Sequence, residues 1–358
     1  MKKIRVLVVE DSLTVRKRLV EVITSDPQLE VVAEAENGNQ AILLCQALRP
    51  DVITLDMHLP VMDGVAATEH IMGHFPTPIL IVSSSTNRGD LFKTYDALAA
   101  GAVDVLEKPA ADAATGTWER EFIAAVKLVS RIRVITHIRA RLGIVGRAAV
   151  PTAPLAPATT PWHFSGQPKT VIALGASTGG PGALVDVLQS IPVGTAATML
   201  VVLHIDEPFS SAFAEWLGAQ TSHPVAYAKG GESLAGTMGR VFMAPPGRHL
   251  AVSAGKLALS SAPERHSCRP SVDVLFETLA SDCARSVVAG LLTGMGKDGA
   301  EGLLALRRAG AHTLAQDEAT CIIYGMPREA AILGAAERIL PLSEIGSAIT
   351  RVTMKGAI

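Results

Sequence analysis

The sequence predicts an α/β protein: two doubly wound domains, each a parallel sheet, the second carrying a β-hairpin insertion. Three observations carry that expectation. Both halves of the 358-residue chain alternate short β-branched apolar runs with helical stretches, the pattern of parallel sheets covered on both faces. Between them, residues 147–168 read RAAVPTAPLAPATTPWHFSGQP, with five prolines and no acid; such a stretch holds no helix and reads as an extended tether. The charge also changes along the chain. Residues 1–110 carry 10 basic and 15 acidic residues, residues 111–150 carry 7 and 3, and residues 151–358 carry 15 and 16.

In the first half, β-branched runs at 6–9, 31–33, 52–55, 79–82 and 103–106 predict five strands. Helical patterns follow at 13–25, 39–48, 65–74, 90–100 and 118–142. Five βα units of this length give a (βα)5 domain over 1–125, followed by a helix and Pro-rich linker over 126–168. Arg131, Arg133, Arg139 and Arg141 on the last helix read as a solvated face. The second domain, 169–356, has predicted strands at 171–174, 199–204, 241–243, 287–292, 312–315 and 338–340. Its helices are expected at 181–189, 210–220, 272–283, 300–309 and 327–334. Residues 249–253 and 256–260, joined by Ala254-Gly255, read as a hairpin with a tight turn.

Composition excludes several classes. Apolar residues make up 48% of the chain and charged residues 18%, enough apolar material for two cores. A formal charge of -2 with 4% aromatics lacks both the basic footprint and the stacking surface of a nucleic-acid binder. No apolar run approaches the ~20 residues of a membrane-spanning helix. Cys45, Cys268, Cys283 and Cys321 form no CxxC pair, so a disulfide scaffold or zinc module is not expected. A reduced, cytoplasmic, monomeric protein without membrane insertion is the expectation.

Functional groups of a doubly wound sheet gather at the carboxyl ends of its strands. In the first half, Glu10 and Asp11 follow strand one, Asp56 strand three, Ser83 strand four and Lys108 strand five. Any one of these alone would serve as a strand-end cap; five together point to chemistry. Clustered carboxylates repel one another, and a hard divalent cation such as Mg²⁺ relieves the repulsion. The cation and a lysine would stabilise a transferring phosphoryl group, with one carboxylate as its acceptor.

In the second half, Gly175-Ala176-Ser177-Thr178-Gly179 follows a predicted strand and precedes a helix. The arrangement suits an exposed nucleophilic serine on a sharp turn, with helix amides facing an oxyanion. By itself it could equally cradle a phosphate, although the Gly-Lys-Ser/Thr ending of a P-loop is absent. A serine nucleophile needs a base and an orienting acid. His204 ends the next strong strand, and Asp298 lies in the Gly-rich run LLTGMGKDG. The order Ser, His, Asp is not that of the α/β-hydrolases. His58, His163, His223 and His312 read as structural.

The first-half residues, with DVITLDMHLPVMDG around Asp56 and EKP at 107–109, resemble the receiver domain of two-component response regulators. The resemblance implies that Asp56 is the phospho-acceptor. Glu10, Asp11, Asp56 and the backbone carbonyl of His58 would be metal ligands, Ser83 and Lys108 phosphoryl contacts, and the Lys108–Pro109 bond cis. GASTGGP at 175–181, HI at 204–205, RPSVDVLF at 269–276, LTGMGKDGAEG at 292–302 and AQDEATCIIYGMPREA at 315–330 resemble the chemotaxis protein-glutamate methylesterases, the CheB family. That resemblance implies a Ser177 nucleophile, a His204 base and an Asp298 orienting acid. Thr178, Met295 and Arg269 would line the cleft, with a Met295 amide in the oxyanion hole. Plainer readings of those three are a helix cap, core filler and surface charge.

The implied activity is methyl-ester hydrolysis on receptor glutamates, with deamidation of receptor glutamines, switched by phosphorylation. The implied partners are methyl-accepting chemotaxis receptors and a chemotaxis histidine kinase. Mg²⁺ would serve receiver phosphorylation, and no cofactor would serve the ester hydrolysis. A receiver with a DNA-binding output, a phospho-dependent adaptor and a generic small-ester hydrolase are the competing readings.

Overall fold

A computed structural model describes residues 2–84, 87–108, 116–132, 134 and 170–354. The first sheet is parallel, in the order β2-β1-β3-β4-β5: Ile4–Val9 (β1), Leu29–Ala35 (β2), Val52–Leu55 (β3), Ile79–Ser83 (β4) and Asp104–Glu107 (β5). Leu13–Thr24 (α1), Gly38–Leu48 (α2), Gly64–His74 (α3), Arg88–Ala99 (α4) and Thr117–Val129 (α5) cover its faces. Side chains start three of these helices: Asn37, Asp63 and Asn87 accept from Gln40 N, Ala66 N and Asp90 N, satisfying amides that lack helical partners.

The second sheet has seven strands in the order β14-β13-β12-β6-β7-β9-β8, every pair parallel. They are Val171–Ala176 (β6), Thr198–Leu203 (β7), Val225–Tyr227 (β8), Val241–Met243 (β9), Val287–Leu291 (β12), His312–Gln316 (β13) and Arg338–Leu340 (β14). His249–Ser253 (β10) and Lys256–Ser260 (β11) form the expected antiparallel hairpin. The helices are Gly180–Ser190 (α6), Glu207–Ser210 (α7), Phe213–Gln220 (α8), Val272–Asp282 (α9), Ala300–Arg308 (α10), Met326–Ile332 (α11) and Leu342–Thr353 (α12). From β6 the chain moves to β7 on one side, and from β12 to β13 and β14 on the other. The crevice between β6 and β12 is therefore the switch point at which such sheets bind ligands.

The structure corrects several expected elements. The helix expected over 118–142 stops at Val129, where its buried row Phe122, Val126 and Val129 ends and Arg131 N and Ile132 N turn back to Leu128 O and Val129 O. One helix expected at 210–220 is two short ones, α7 and α8. The edge strand β8 and the helix α12 were not anticipated. β8 has only three residues and no resolvable period, whereas α12 buries Ile345, Ala348, Ile349 and Val352 along one face. The linker and the Lys108–Pro109 bond lie outside the described residues; the one cis bond among them is Arg269–Pro270.

The two sheets meet through α4. Tyr95 is fully buried; its ring lies edge-on to Phe213 at 5.1 Å and against Trp216 at 5.5 Å. Its hydroxyl donates to Phe209 O at 2.6 Å. Trp216 Nε1 and Gln220 Nε2 donate to Asp96 Oδ1 at 2.7 and 3.3 Å. Arg88 pairs with Glu215. One apolar cluster therefore continues from the first sheet into the second.

Candidate active site

β6 and β7 run in register to Ala176 and Leu203. Ser177 and His204 are each one residue further on, so they emerge side by side on the same rim. His204 N donates to Ala176 O at 3.0 Å, fixing that offset. Ser177 N donates across the crevice to Thr293 O at 3.1 Å. Gly179, at φ 77, is the N-cap of α6, so Thr178 is not. The left-handed backbone there favours glycine, and a Cβ would also meet Ile322 at 2.8 Å.

The loop after β12 brings in the acid. Gly294 allows it to approach, since a Cβ there would lie 2.8 Å from Ser177 Cβ. Gln316 Oε1 accepts from Thr293 N at 2.8 Å, and the Thr293 hydroxyl donates to Thr178 O at 3.0 Å. Asp298 is 2% exposed and sits at the N-terminus of α9. Its Oδ2 accepts from His204 Nε2 at 2.9 Å and Val272 N at 2.7 Å; its Oδ1 accepts from Ser271 Oγ at 2.7 Å and Asp273 N at 3.2 Å.

Both titratable partners shift in the direction of an ion pair. Burial works against ionising Asp298, but the bonds from His204, Ser271 and the Val272 amide hold its carboxyl down to about 2. Burial likewise works against a charged His204 ring. The hydrogen bonds with Asp298 and Cys268 outweigh it and push the imidazole up to about 9. Nε2 is committed to Asp298, and Nδ1 faces the Cys268 sulfur at 3.8 Å. Ser177 Oγ makes no hydrogen bond to His204 among the described residues.

Met295 is 48% exposed at the cleft, not core filler. Arg269 is half-buried, with Nη1 donating to Ala262 O at 3.3 Å and Nε enclosed without a partner among the described residues. Sequence reasoning missed Ser271, Gln316 and Cys268. Ser271 stands inside RPSVDVLF at the start of a predicted helix, where a serine commonly meets helix-end groups; that signal was available.

In the first domain the strand-end groups also converge. Carboxylate oxygens of Glu10, Asp11 and Asp56 lie within 4.8 Å of one another. Lys108 Nζ is 2.8 Å from Glu10 Oε2 and 3.0 Å from Asp56 Oδ2. Burial raises Glu10. For Lys108, burial opposes the charge, but Asp56 and Glu10 more than restore it and the amine is also raised. Ser83 Oγ is fully enclosed without a hydrogen-bond partner among the described residues. A hard-cation oxygen set, a lysine and an orphaned hydroxyl fit a phosphoryl group with a divalent ion. The His58 side chain turns to Asp90, Nε2 to Oδ1 at 2.7 Å.

A CheB methylesterase domain matches residues 172–349, and a response regulator receiver domain matches residues 6–115. The protein-glutamate methylesterase/protein-glutamine glutaminase 2 of Anaeromyxobacter dehalogenans (strain 2CP-C) is 41% identical over 350 residues, covering 98% of this chain and 97% of that protein. The Bordetella parapertussis protein-glutamate methylesterase/protein-glutamine glutaminase is 42% identical over 364 residues, covering 99% of each. Among solved structures, the catalytic domain of Thermotoga maritima CheB methylesterase is 30% identical, with a TM-score of 0.48, covering 52% of this chain and 99% of that one. The two matched ranges take in both sheets, and the chain belongs to the CheB methylesterase family, with a receiver domain ahead of its esterase domain.

Proposed function

We propose that this chain hydrolyses methyl esters on glutamate side chains of methyl-accepting chemotaxis receptors, deamidates receptor glutamines, and is switched by phosphorylation of Asp56. The observation that carries the hydrolytic reading is the 2.9 Å bond from His204 Nε2 to Asp298 Oδ2, beside Ser177 at the next strand end. Ser177 Oγ attacks the ester carbonyl while His204 Nδ1 takes its proton. Asp298 holds the resulting imidazolium. The backbone amide of Met295, which makes no hydrogen bond among the described residues, faces the oxyanion. As the bond from the acyl carbon breaks, His204 gives the proton to the departing ester oxygen, releasing methanol, or to the amide nitrogen of a glutamine, releasing ammonia. Water then releases the acyl group by the same route, leaving a free carboxylate. Thr178 and Arg269 border the cleft.

In the receiver, Asp56 accepts a phosphoryl group from a chemotaxis histidine kinase. Glu10, Asp11, Asp56 and the His58 carbonyl would hold Mg²⁺, which offsets charge on the transferring phosphoryl group. Ser83 and Lys108 contact the phosphoryl oxygens. α4 packs on α8 and on the first turn of α6, where a Cβ at Gly182 would lie 3.1 Å from Ala99 O. α6 begins just after the nucleophile loop, so α4 is placed to restrict the cleft. Phosphorylation weakens that packing, and a tenfold shift toward the open arrangement requires about 1.4 kcal/mol. We assign the protein to the cytoplasm, where the receptor's methylated segments are within reach.

Methanol release from methylated receptor membranes tests this, with and without Mg²⁺ and a small phosphodonor. Release that needs Ser177, and rises with phosphodonor only when Asp56 is intact, is the expected result. No release by folded, phosphorylated protein overturns it. The controls are Ser177→Ala and Asp56→Asn.

A further inference from the structure

Cys268 carries no step of the proposed ester hydrolysis, yet its sulfur lies 3.8 Å from His204 Nδ1, the ring nitrogen that Asp298 does not hold. A built turn holds it there. Arg265 N and Cys268 O, and Cys268 N and Arg265 O, bond at 3.1 and 2.9 Å, with His266 at φ 51 and Ser267 at φ 60 between them. Two successive left-handed residues make this a tight two-residue turn. Arg265 pins the turn by pairing with Glu277 at 2.5 Å and Glu301 at 2.9 Å. The thiol is thus presented to the ring by a short, anchored loop.

We propose that His204 and Cys268 form a binding site for a thiophilic divalent cation, zinc being the natural fit, and that filling it silences the esterase. A tetrahedral zinc ion bound at about 2.3 Å to sulfur and about 2.05 Å to nitrogen sets the two ligands about 3.6 Å apart. The observed 3.8 Å needs almost no rearrangement. Cys268 Sγ, His204 and Asp298 each place a ligand atom within 4.8 Å of the others. Asp298 stays on Nε2, orienting the ring as carboxylates do behind metal-bound histidines. Two further positions remain for water. On binding, the Cys268 thiol gives its proton to solvent and its thiolate bonds the metal. The protonated His204 ring likewise gives its Nδ1 proton to solvent, and the freed Nδ1 lone pair bonds the ion, so it can no longer take the serine proton. Sulfur and imidazole discriminate against Mg²⁺, so the hard-oxygen set in the receiver and this site select different ions.

The silencing half of the proposal rests on the esterase reading, whereas the binding half does not. The test uses the full, reduced chain in excess Mg²⁺, titrated with Co²⁺ and then Zn²⁺. A near-ultraviolet thiolate-to-cobalt band is expected, absent in Cys268→Ala, retained in Cys283→Ala and removed by zinc. Zinc is expected to stop methanol release by the wild type, and Cys268→Ala to need about tenfold more zinc or higher. A missing band, a band that survives Cys268→Ala, or equal zinc sensitivity in both proteins overturns the site. A cobalt band in a protein that releases no methanol even without zinc supports the site and sinks the esterase.

Discussion

Replacing Asp298 by Asn removes a charge while leaving the shape, and the surrounding bonds decide which way the amide turns. If the amide nitrogen takes the Oδ2 position, it opposes the Val272 N–H at 2.7 Å and forces the proton of His204 onto Nδ1. If it takes the Oδ1 position, the Ser271 hydroxyl at 2.7 Å can rotate to accept, and only the 3.2 Å bond from Asp273 N is lost. The second orientation sacrifices the weaker backbone bond and keeps the useful tautomer. What disappears is one charge-assisted bond to the imidazolium, ~1.5–3 kcal/mol, or a loss in kcat of roughly 10- to 100-fold. In Asp298→Asn plus Ser271→Ala, the amide loses its only accommodating neighbour and the loss exceeds the product of the single losses. Methanol release under single-turnover conditions measures each. A loss approaching 10⁴-fold, the wrong-tautomer value, would refute the orientation argument, and no loss would remove Asp298 from the chemistry.

The imidazole of His204, held up to about 9, must be neutral to act as a base. Only about 1% is neutral at pH 7, so methanol release should climb about tenfold per pH unit and level near pH 9; a flat rate between pH 7 and 9 would contradict this. Asp96→Ala strands the Trp216 N–H at the domain contact, which should raise unphosphorylated activity by roughly 5- to 100-fold without changing Ser177-dependent turnover in fully phosphorylated protein. Gly346→Ala would bring a Cβ 2.9 Å from Ser190 Cβ and Val187 O. Overpacking α12 on α6 should destabilise thermal unfolding by about 1–3 kcal/mol.

Asp56, Ser177 and His204 were legible because parallel strands deliver their last residues to one rim, and strand ends can be read from β-branched runs. Asp298 was legible from its Gly-rich loop after a strand. The residues that govern these groups were not. Cys268 reaches His204 only because a turn at 265–268 folds over β7, a contact between residues 64 apart in sequence. Tyr95 and Trp216 carry no mark separating an interdomain contact from an ordinary core, since both are apolar residues on helical faces. The end of α5 at Val129 was missed for a related reason: residues 130–142 remain helix-compatible locally, and packing, not propensity, decides where the buried row stops.

The position of α4 gives the two sites a physical means of communication. Near its start, Asp90 meets His58, two residues beyond Asp56; its last residue, Ala99, lies against the first turn of α6. A 12-residue helix is ~18 Å long and moves as a unit, so displacement at Asp90 is carried to Ala99 with little loss. Ser83 supplies a reason for displacement. Its buried hydroxyl lacks a partner among the described residues, and a phosphoryl group on Asp56 would offer one. The opposing grip is polar as well as apolar: the Tyr95 hydroxyl and the Asp96 carboxylate each hold a partner on the esterase side. Such bonds fail abruptly with angle and distance, whereas apolar contact tolerates sliding. If phosphorylation displaces α4, these two bonds would fail first, and one new hydrogen bond at Ser83, net ~0.5–1.5 kcal/mol, would be comparable to either of them.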